Sequence, residues 1–394
     1  MRRTLLPLIV WFLSSLVAAG ALSQVQYTVT DLGDLPNGYS PQPTAINNNG
    51  QVAGDFWLPP VNQYDSYHQH AFLYSGGAMQ DLGTLGGSDS VAEGINNNGE
   101  VVGWSYAAIA GQSAFIYSGG TMQSVNGLNT TPGWSLYLAT AITDNGEVVG
   151  SGYNPSGRPS AFLYSGGTVQ DLGTLGGSSS ALGMNSTGMA VGWSATGAYT
   201  GSLQLNGRHA VVYSGGSVHD LGSLLTHDQN WGGDETFGTA INDSGQVVGY
   251  ADARAPEAFL YSSGTMQDLG TLGGATSQAD GINNLDQVVG SAYNSVGVSD
   301  AFLWEPGSGM VDLNSLIPQP SEWTLTTATA INDNGLIVGT GLGPSGVGAA
   351  LLLTPISSPE PSTFALLGVG GIALIAYAWR RKRRAAKLRC RLVA

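Results

Sequence analysis

Short apolar runs recur along this chain, and glycine and asparagine residues typical of tight turns bound each run. One recurring element ends in Val-Val-Gly or a close variant, and its glycines are Gly54, Gly103, Gly150, Gly192, Gly249, Gly290 and Gly339. A second element, of the Ala-Phe-Leu-Tyr type, begins at Ala71, Ala114, Ala161, Ala210, Ala258 and Ala301, with a degenerate copy at Ala350. Spacings of 41 to 57 residues predict one supersecondary unit per repeat.

Each repeat is expected to contain four short strands, labelled a to d in chain order. Strand a has a Thr-Ala-Ile-Asn pattern and ends at a turn such as Asn98-Gly99, which is a strong hairpin signal. Strand b is the Val-Val-Gly element, and strand c is the Ala-Phe-Leu-Tyr element. A turn such as Ser75-Gly76-Gly77 then leads into strand d. Two hairpins per repeat predict a four-stranded propeller blade.

The two ends of the repeat region complement each other. Tyr27–Gly33 has the pattern of a strand d with no strands a to c before it, and the last repeat ends at strand c, Ala350–Thr354. We therefore predict an all-β fold, a seven-bladed β-propeller, whose N-terminal strand completes the last blade. Such closure leaves only short, protected sheet edges. A linear β-solenoid is the alternative, although it would not need this complementarity.

The N-terminal residues have the pattern of a secretory signal peptide. Arg2 and Arg3 precede the apolar run Leu5–Val17, and small residues around Ala21 offer a cleavage site before Gln24. We expect residues 1–23 to be removed on export. A retained anchor is the alternative, and the short apolar run argues against it.

A second apolar segment lies near the C-terminus. Residues 364–379 carry no charge, and a helix over them would be roughly 24 Å long, a little shorter than a typical membrane core. Basic residues follow at once, which predicts a cytoplasmic tail and a repeat region outside the cytoplasm. We expect one transmembrane helix; a buried helix of a soluble domain is the alternative.

This arrangement resembles the PEP-CTERM sorting tail of exported bacterial proteins. The resemblance rests on Pro359, Glu360 and Pro361, then the apolar helix, then Arg380, Arg381, Lys382, Arg383 and Arg384. It implies that a membrane-embedded exosortase processes the tail, so that the helix anchors the protein only before release or transfer to the cell surface. Residues 385–394 extend further than this family usually shows. The expected organisation is a signal peptide (1–23), a propeller (24–355), a linker (356–363), a sorting helix (364–379) and a basic tail (380–394).

The repeats resemble the HAF family of extracellular repeats, which is named for a His-Ala-Phe element. That element is intact at His70-Ala71-Phe72, whereas most other repeats have another residue at the histidine position. The resemblance covers nearly the whole repeat region and implies an exported bacterial protein. It brings no catalytic residues with it.

Charge is distributed unevenly along the chain. The exported body contains only three basic residues, Arg158, Arg208 and Arg254, against 27 acidic residues, which is a net charge of −24. Such a body would repel nucleic acids and anionic membrane surfaces, so neither is expected as its partner. The single cysteine, Cys390, follows the basic cluster, so the body is expected to form no disulfide and to have no thiol chemistry.

In a propeller blade, the a–b and c–d turns lie on one face, and the b–c and d–a connections lie on the other. The first set is uniformly short in this sequence, whereas the second set varies in length. Variable loops on a rigid scaffold commonly carry binding sites. Tryptophans after strand b or in long d–a connections are therefore expected as ligand-face aromatics: Trp57, Trp104, Trp134, Trp193, Trp231 and Trp323. The alternative is that each tryptophan packs between neighbouring blades.

Candidate chemistry is sparse. His68 and His70 could place two imidazoles on one side of a strand, but the pattern offers no third metal ligand. The Asp-Asn-Gly segments lack the further ligands of a calcium loop and are better explained as turns. Aspartates that recur with the repeat are expected to be architectural. We therefore predict no catalytic residues, no metal site and no cofactor.

The sequence favours a non-enzymatic protein of the cell surface or extracellular matrix, which binds a component such as exopolysaccharide or has a purely structural role. Aromatic side chains suit stacking on sugar rings, and the acidic body favours a neutral polysaccharide. The alternative is a secreted glycan hydrolase or lyase that uses the same face.

Overall fold

The computed structural model describes residues 25–36, 38–60, 66–109, 111–197, 207–224, 235–252, 255–356 and 377. The predicted signal peptide, Trp231, the Pro-Glu-Pro motif and the basic cluster lie outside the described residues, as does the predicted membrane helix apart from Tyr377. Within the described ranges, no helix is both long enough and apolar enough to cross a bilayer.

The described residues form 28 β-strands, which pair into seven antiparallel sheets of four strands each. In six of these sheets the spatial order of the strands follows the chain, so each repeat forms one blade. Residues Tyr27–Thr354 make one compact unit. The predicted seven-bladed β-propeller is therefore confirmed, and the linear solenoid is excluded.

The blades have the following strands. Blade 1 contains β2 (Tyr39–Ile46), β3 (Val52–Leu58), β4 (His68–Ser75) and β5 (Ala78–Asp81). Blade 2 contains β6 (Gly86–Ile95), β7 (Val101–Ala107), β8 (Gly111–Ser118) and β9 (Thr121–Ser124). Blade 3 contains β10 (Ser135–Ile142), β11 (Val148–Tyr153), β12 (Pro159–Ser165) and β13 (Thr168–Asp171). Blade 4 contains β14 (Ser179–Met184), β15 (Ala190–Ala195), β16 (Arg208–Ser214) and β17 (Ser217–Asp220).

The remaining blades follow the same plan. Blade 5 contains β18 (Glu235–Ile241), β19 (Val247–Asp252), β20 (Glu257–Ser262) and β21 (Thr265–Asp268). Blade 6 contains β22 (Gly273–Ile282), β23 (Val288–Asn294), β24 (Ser299–Glu305) and β25 (Gly309–Asp312). Blade 7 contains β26 (Thr324–Ile331), β27 (Ile337–Leu342), β28 (Gly348–Ile356) and the N-terminal strand β1 (Gln26–Asp31). Two short helices, α1 (Val125–Leu128) and a 3-10 helix (Leu313–Leu316), follow blades 2 and 6.

Strand β1 closes the ring as the outermost strand of blade 7, as predicted. It lies beside β28, and the backbone amide of Leu32 just beyond it donates to the Ala350 carbonyl at 3.0 Å. The side chain of Tyr27 is 1% exposed and packs in the same apolar cluster as Leu351 and Leu353. The closing strand therefore contributes core as well as hydrogen bonds.

The apolar core lies between neighbouring blades. Strand b supplies valines to this core, and strand c supplies small and aromatic residues. Successive side chains of a strand point to opposite faces of the sheet, so alternate residues pack against one neighbouring blade. At the junction of blades 3 and 4, for example, Val149 and Ala161 pack with Val211 and Tyr213. Each blade thus stabilises the next, as in other repeat architectures.

The strand b glycines are explained by a close backbone approach. A Cβ added to Gly249 would overlap the carbonyl oxygen of Phe237 in the paired strand a, and the other six glycines of this element meet the equivalent carbonyl in their own blades. Only glycine fits where another backbone comes this close.

The two faces of the propeller differ as the sequence indicates. We call the face formed by the a–b and c–d turns the tight-turn face, and the face formed by the b–c and d–a connections the variable face. Both helices belong to d–a connections and so lie on the variable face.

Candidate functional site

The a–b turns form a hydrogen-bonded ring on the tight-turn face. They surround a cavity of about 380 Å³ at the mouth of the central channel. Two hydrogen bonds join most neighbouring turns. In the first, the side-chain amide of the first turn residue donates to a backbone carbonyl of the next blade, as Asn47 Nδ2 does to the Asn96 carbonyl at 2.8 Å. In the second, the backbone amide of the second turn residue donates to the side chain of the second turn residue in the next blade, as Asn97 N does to Asp144 Oδ1 at 2.8 Å.

The aspartates of these turns therefore have an architectural role. Asp144, Asp243 and Asp333 each accept hydrogen bonds from the preceding blade. Both carboxylate oxygens of Asp333 are used in this way. Their recurrence with the repeat reflects the joining of blades.

The ring is open at one junction, between blades 3 and 4. Thr143 occupies the first turn position of blade 3 and has no side-chain amide to donate, whereas Asn185 continues the pattern in blade 4. Ser186 occupies the second position and its hydroxyl donates to Asp243 Oδ1 at 2.7 Å. Among the described turns, only this junction lacks both ring hydrogen bonds.

Ser186→Asn is expected to close this gap and stabilise the fold by about 0.5–1.5 kcal/mol, the net contribution of a typical hydrogen bond. The new amide oxygen would accept from Asp144 N, and the new amide nitrogen would donate to Asp243 Oδ2, as Asn97 donates to Asp144 Oδ2 at 3.0 Å. Urea unfolding measures the change. Ser156→Asn, in an exposed turn on the variable face, is the control, and an equal shift in both variants would contradict the prediction.

The central channel is shaped by a β-bulge that recurs in strand a. In every blade the a–b register shifts by one residue at the same place, and a bulge of this kind redirects the extra side chain. The bulged residues are Thr44, Glu93, Thr140, Leu182, Thr239, Asp280 and Thr329.

The threonines at the bulges link neighbouring blades. Thr44 Oγ1 lies 3.2 Å from the Ala53 carbonyl in its own blade and donates to the Ala92 carbonyl in the next blade at 2.8 Å. Thr140, Thr239 and Thr329 make the equivalent contacts. Blades 2, 4 and 6 depart from this pattern, because Glu93, Leu182 and Asp280 take the place of the threonine.

Glu93 and Asp280 line a channel cavity of about 250 Å³ together with three of the threonines. Burial, and to a smaller extent the carboxylate of Asp55, together raise the pKa of Glu93 to about 7. Burial also raises the pKa of Asp280 to about 7, although a 2.8 Å hydrogen bond from Gln278 opposes this effect. Asp55 is itself buried in strand b, and its pKa is raised to about 6 despite a hydrogen bond from Gln69.

An aromatic cluster lies on the variable face where blades 4 and 5 meet. We use this name for Trp193, Arg208, Phe237 and Tyr250. The guanidinium of Arg208 lies 4.6 Å from the centre of the Trp193 ring and 5.7 Å from that of Phe237. Phe237 and Tyr250 stack with ring centres 5.0 Å apart. Arg208 begins a strand c and Phe237 lies early in a strand a, which places the cluster on this face.

The aromatic cluster is open to solvent and close to the channel. The side chain of Arg208 is 41% exposed and lies 3.8 Å from the Glu235 carboxylate, and the three rings are half-buried. Burial raises the pKa of Tyr250, and the nearby carboxylates of Asp252, Asp280 and Glu235 add to this effect, whereas Arg208 opposes it. Flat rings beside hydrogen-bond donors and acceptors match both the apolar and the polar surface of a sugar.

Exposed tyrosines occupy equivalent positions on the variable face in three other blades. Tyr106, Tyr153 and Tyr293 each lie three residues after the strand b glycine and are 40%, 47% and 45% exposed. Tyr106 makes an edge contact with Trp104 at 5.6 Å. Aromatic surface therefore continues around this face beyond the aromatic cluster.

The six tryptophans expected at a ligand face are spread over different blades. Three of them were expected after strand b, but Trp57, Trp104 and Trp193 lie within that strand, which is a correction of their position. Trp134 and Trp323 immediately precede strands a, and each packs partly against an apolar cluster. Trp231 lies outside the described residues. The other five of these six tryptophans are half-buried, and of them only Trp193 lies in the aromatic cluster.

The histidines of strand c pair with separate carboxylates. His70 Nδ1 lies 3.0 Å from both carboxylate oxygens of Asp81, and His209 pairs with Asp220 in the same way. His68 lies 3.5 Å from a different acid, Asp89. No group of three or more metal-ligating side chains occurs among the residues that the structure describes.

Two family models match the sequence. Residues 359–384 match the PEP-CTERM protein-sorting motif, so the chain carries this motif at its C-terminus. Residues 163–345 match a family model described as a protein of unknown function, DUF3466, and this range covers all of blades 4 to 6 and parts of blades 3 and 7. The motif and the fold together define an exported β-propeller protein with an exosortase sorting tail. No curated protein matches the sequence significantly.

Solved propellers resemble this fold only distantly. The β-propeller domain of the Trilobed protease from Pyrococcus furiosus has 8% identity and a TM-score of 0.37, covering 73% of this chain and 95% of its own. A putative TolB from Agrobacterium tumefaciens has 13% identity and a TM-score of 0.41, with coverages of 71% and 94%. SapL1 lectin in complex with alpha methyl fucoside has 9% identity and a TM-score of 0.34, with coverages of 81% and 96%. Similarities at this level say nothing about ligand or activity.

Proposed function

We propose that this protein is a non-enzymatic, surface-sorted propeller that binds a neutral extracellular polysaccharide through its variable face. The observation that carries the proposal is the aromatic cluster, in which Arg208 lies over Trp193 and remains 41% exposed. A signal peptide and a transient membrane helix, as expected from the sequence, would deliver the protein outside the cytoplasm. The HAF-like character of the repeats agrees with an extracellular role.

The chemistry of the aromatic cluster supports a sugar ligand. Pyranose rings present an apolar face to a flat aromatic side chain and hydroxyls at their edges. Trp193, Phe237 and Tyr250 supply rings in two orientations, since Trp193 meets Phe237 at 74° and Tyr250 stacks on Phe237 at 27°. Arg208 supplies hydrogen-bond donors and Glu235 supplies acceptors at the rim.

The charge of the body supports a neutral ligand over a polyanion. With a net charge of −24, the body repels nucleic acids, anionic polysaccharides and anionic lipid surfaces. Arg208, the cation of the aromatic cluster, is already paired with Glu235. The tyrosines on the same face extend the aromatic surface and favour a chain of sugars.

Trp193→Ala is expected to weaken polysaccharide binding by roughly thirty-fold, which corresponds to the ~2 kcal/mol typical of a central aromatic contact. A screen of immobilised neutral polysaccharides with the full-length protein in detergent identifies the ligand, and titration then gives the affinities. Leu285→Ala is the control, because Leu285 is 61% exposed on the tight-turn face. Equal binding by both variants would contradict the proposed site.

A glycan hydrolase or lyase is the second candidate function, and one observation favours it. Asp55 is buried and Glu93 is half-buried, and the two carboxylates are near enough for Asp55 to raise the pKa of Glu93. Glycosidases use pairs of carboxylates. This activity would release oligosaccharides from a bound polysaccharide, and Glu93→Gln would abolish the release while leaving binding intact. Binding without release of oligosaccharides supports the non-enzymatic function.

A further inference from the structure

Blade 3 carries a second pair of aromatic rings on the variable face. The ring centres of Tyr137 and Tyr153 lie 5.2 Å apart, and the ring planes meet at 50°. Tyr153 is 47% exposed, whereas Tyr137 is half-buried. We call these two residues the tyrosine pair. One of its rings is held in the blade and supports the other, which faces solvent.

The tyrosine pair depends on a second register shift in strand a of blade 3. The pairing with strand b shifts by one residue between Leu136 and Leu138, so Tyr137 is the extra residue. A bulge of this kind redirects the extra side chain. Blade 7 has the same shift but places Thr326 there. The ring of Tyr137 is therefore an individual feature of blade 3 and does not follow from the repeat.

The b–c turn that follows Tyr153 is held in one conformation by hydrogen bonds. Asn154 Oδ1 accepts from the backbone amides of Ser156 and Arg158 at 3.0 and 3.1 Å. Asn154 N also donates to the Arg158 carbonyl at 2.9 Å. A surface fixed in this way before binding loses little conformational entropy when it binds a ligand.

A continuous series of contacts joins the tyrosine pair to the aromatic cluster. Burial, and then Tyr153, raise the pKa of Tyr137, and a hydrogen bond with Ser151 opposes them. Ser151 Oγ lies 2.6 Å from Ser180 Oγ in blade 4. Ser180 is the strand partner of Trp193, and such partners have Cα atoms roughly 5 Å apart. The two aromatic sites are thus neighbours on the variable face.

We infer that the tyrosine pair is a second sugar subsite, which binds another part of the same neutral polysaccharide chain as the aromatic cluster. This inference rests on the proposed polysaccharide binding. The exposed ring of Tyr153 offers a flat apolar surface, and the phenol hydroxyls of both tyrosines can donate and accept hydrogen bonds. A second copy of this body would be repelled from the same surface by its net charge of −24. The substrate class is then an extended chain of sugars rather than a single terminal sugar.

Two subsites for one chain make the affinity depend on chain length. Once the aromatic cluster is occupied, the tyrosine pair meets the rest of the bound chain at a high effective concentration. A fragment too short to reach both subsites gains nothing from the second one. The affinity should therefore rise by roughly tenfold or more once fragments are long enough to reach both.

The test measures the affinity of the full-length protein in detergent for fragments of one polysaccharide. Immobilised dextran, arabinoxylan, galactomannan and β-glucan are the probes, and the polymer retained best is cut into fragments from the disaccharide upward. Tyr153→Ala should weaken the binding of long fragments by roughly tenfold, as expected for the loss of an aromatic contact. It should leave the affinity for the disaccharide unchanged, which also shows that the variant is folded. Trp193→Ala should weaken the binding of both.

Leu342→Ala is the matched control. Leu342 occupies the same repeat position in blade 7, three residues after the strand b glycine, and is 43% exposed. Strand a of that blade has the same register shift as blade 3. The substitution removes exposed apolar surface but no ring, so the affinity for long fragments should stay within about twofold of the wild-type value.

The outcomes separate this inference from the proposed function. Equal effects of Tyr153→Ala and Leu342→Ala would overturn the second subsite, as would an affinity that does not depend on fragment length. In both cases a loss of binding in Trp193→Ala would still support the aromatic cluster. Retention of none of the four polymers, or binding that Trp193→Ala does not weaken, would contradict the proposed function itself and the second subsite with it.

Discussion

Gly249→Ala is expected to destabilise the protein by at least about 3 kcal/mol, at the upper end of what overpacking usually costs. The added methyl group would overlap the carbonyl oxygen of Phe237 in the paired strand. The contact is with backbone, so a side-chain rotation cannot relieve it. Strands β18 and β19 would have to separate at the bulge, and their ladder hydrogen bonds would weaken.

Urea unfolding followed by tryptophan fluorescence measures this effect. Gly348→Ala is the matched control, because Gly348 also lies in a strand but has no atom within 4 Å of an added Cβ. Its stability should change by no more than about 0.5 kcal/mol. If both variants unfold at the same urea concentration, the close approach of strands a and b is not what selects glycine.

Tyr27→Ala is expected to destabilise the protein by about 3–5 kcal/mol, the usual effect of truncating a buried aromatic side chain. Tyr27 is 1% exposed and packs with Leu351 and Leu353 across the seam that closes the ring. The variant would leave a cavity and loosen β1, which exposes the edge of β28. An exposed strand edge promotes self-association.

Thr30→Ala is the control for this closure, because Thr30 is exposed in the same strand. The unfolding midpoint and the elution volume in size-exclusion chromatography are the readouts. Tyr27→Ala should unfold earlier and form larger species, and the control should do neither. Equal behaviour of the two variants would show that β1 contributes little to the closed ring.

The sequence predicts the propeller well because its signals are local and repeated. Asn-Gly and Ser-Gly-Gly turns identify both hairpins of a blade, and the lone strand pattern at Tyr27–Gly33 predicts the closure. The β-bulge could not be predicted in this way. It is a register shift between two paired strands, and nothing in one strand's alternation reveals it.

The candidate sites were harder to predict because they depend on which residues the fold brings together. The sequence identifies tryptophans as candidate ligand contacts, whereas nothing in it distinguishes Phe237 and Tyr250 from other strand residues. Only strand and blade pairing brings these two rings together with Trp193. Glu93 and Asp280 were missed for another reason. The repeating aspartates are architectural, and the informative acids are those that depart from the repeat. Aligning the strand a patterns, where four blades have Thr at this position, would have found them.

Hydrogen exchange of the full-length protein with and without its best-binding polysaccharide tests the proposed recognition face most directly. Slower exchange is predicted in residues 190–195, 208–214 and 235–252, which carry the aromatic cluster, and in the segments around the exposed tyrosines. The a–b turns of the tight-turn face should exchange at unchanged rates. Slower exchange confined to those turns, with none around Trp193 and Arg208, would contradict recognition by the variable face.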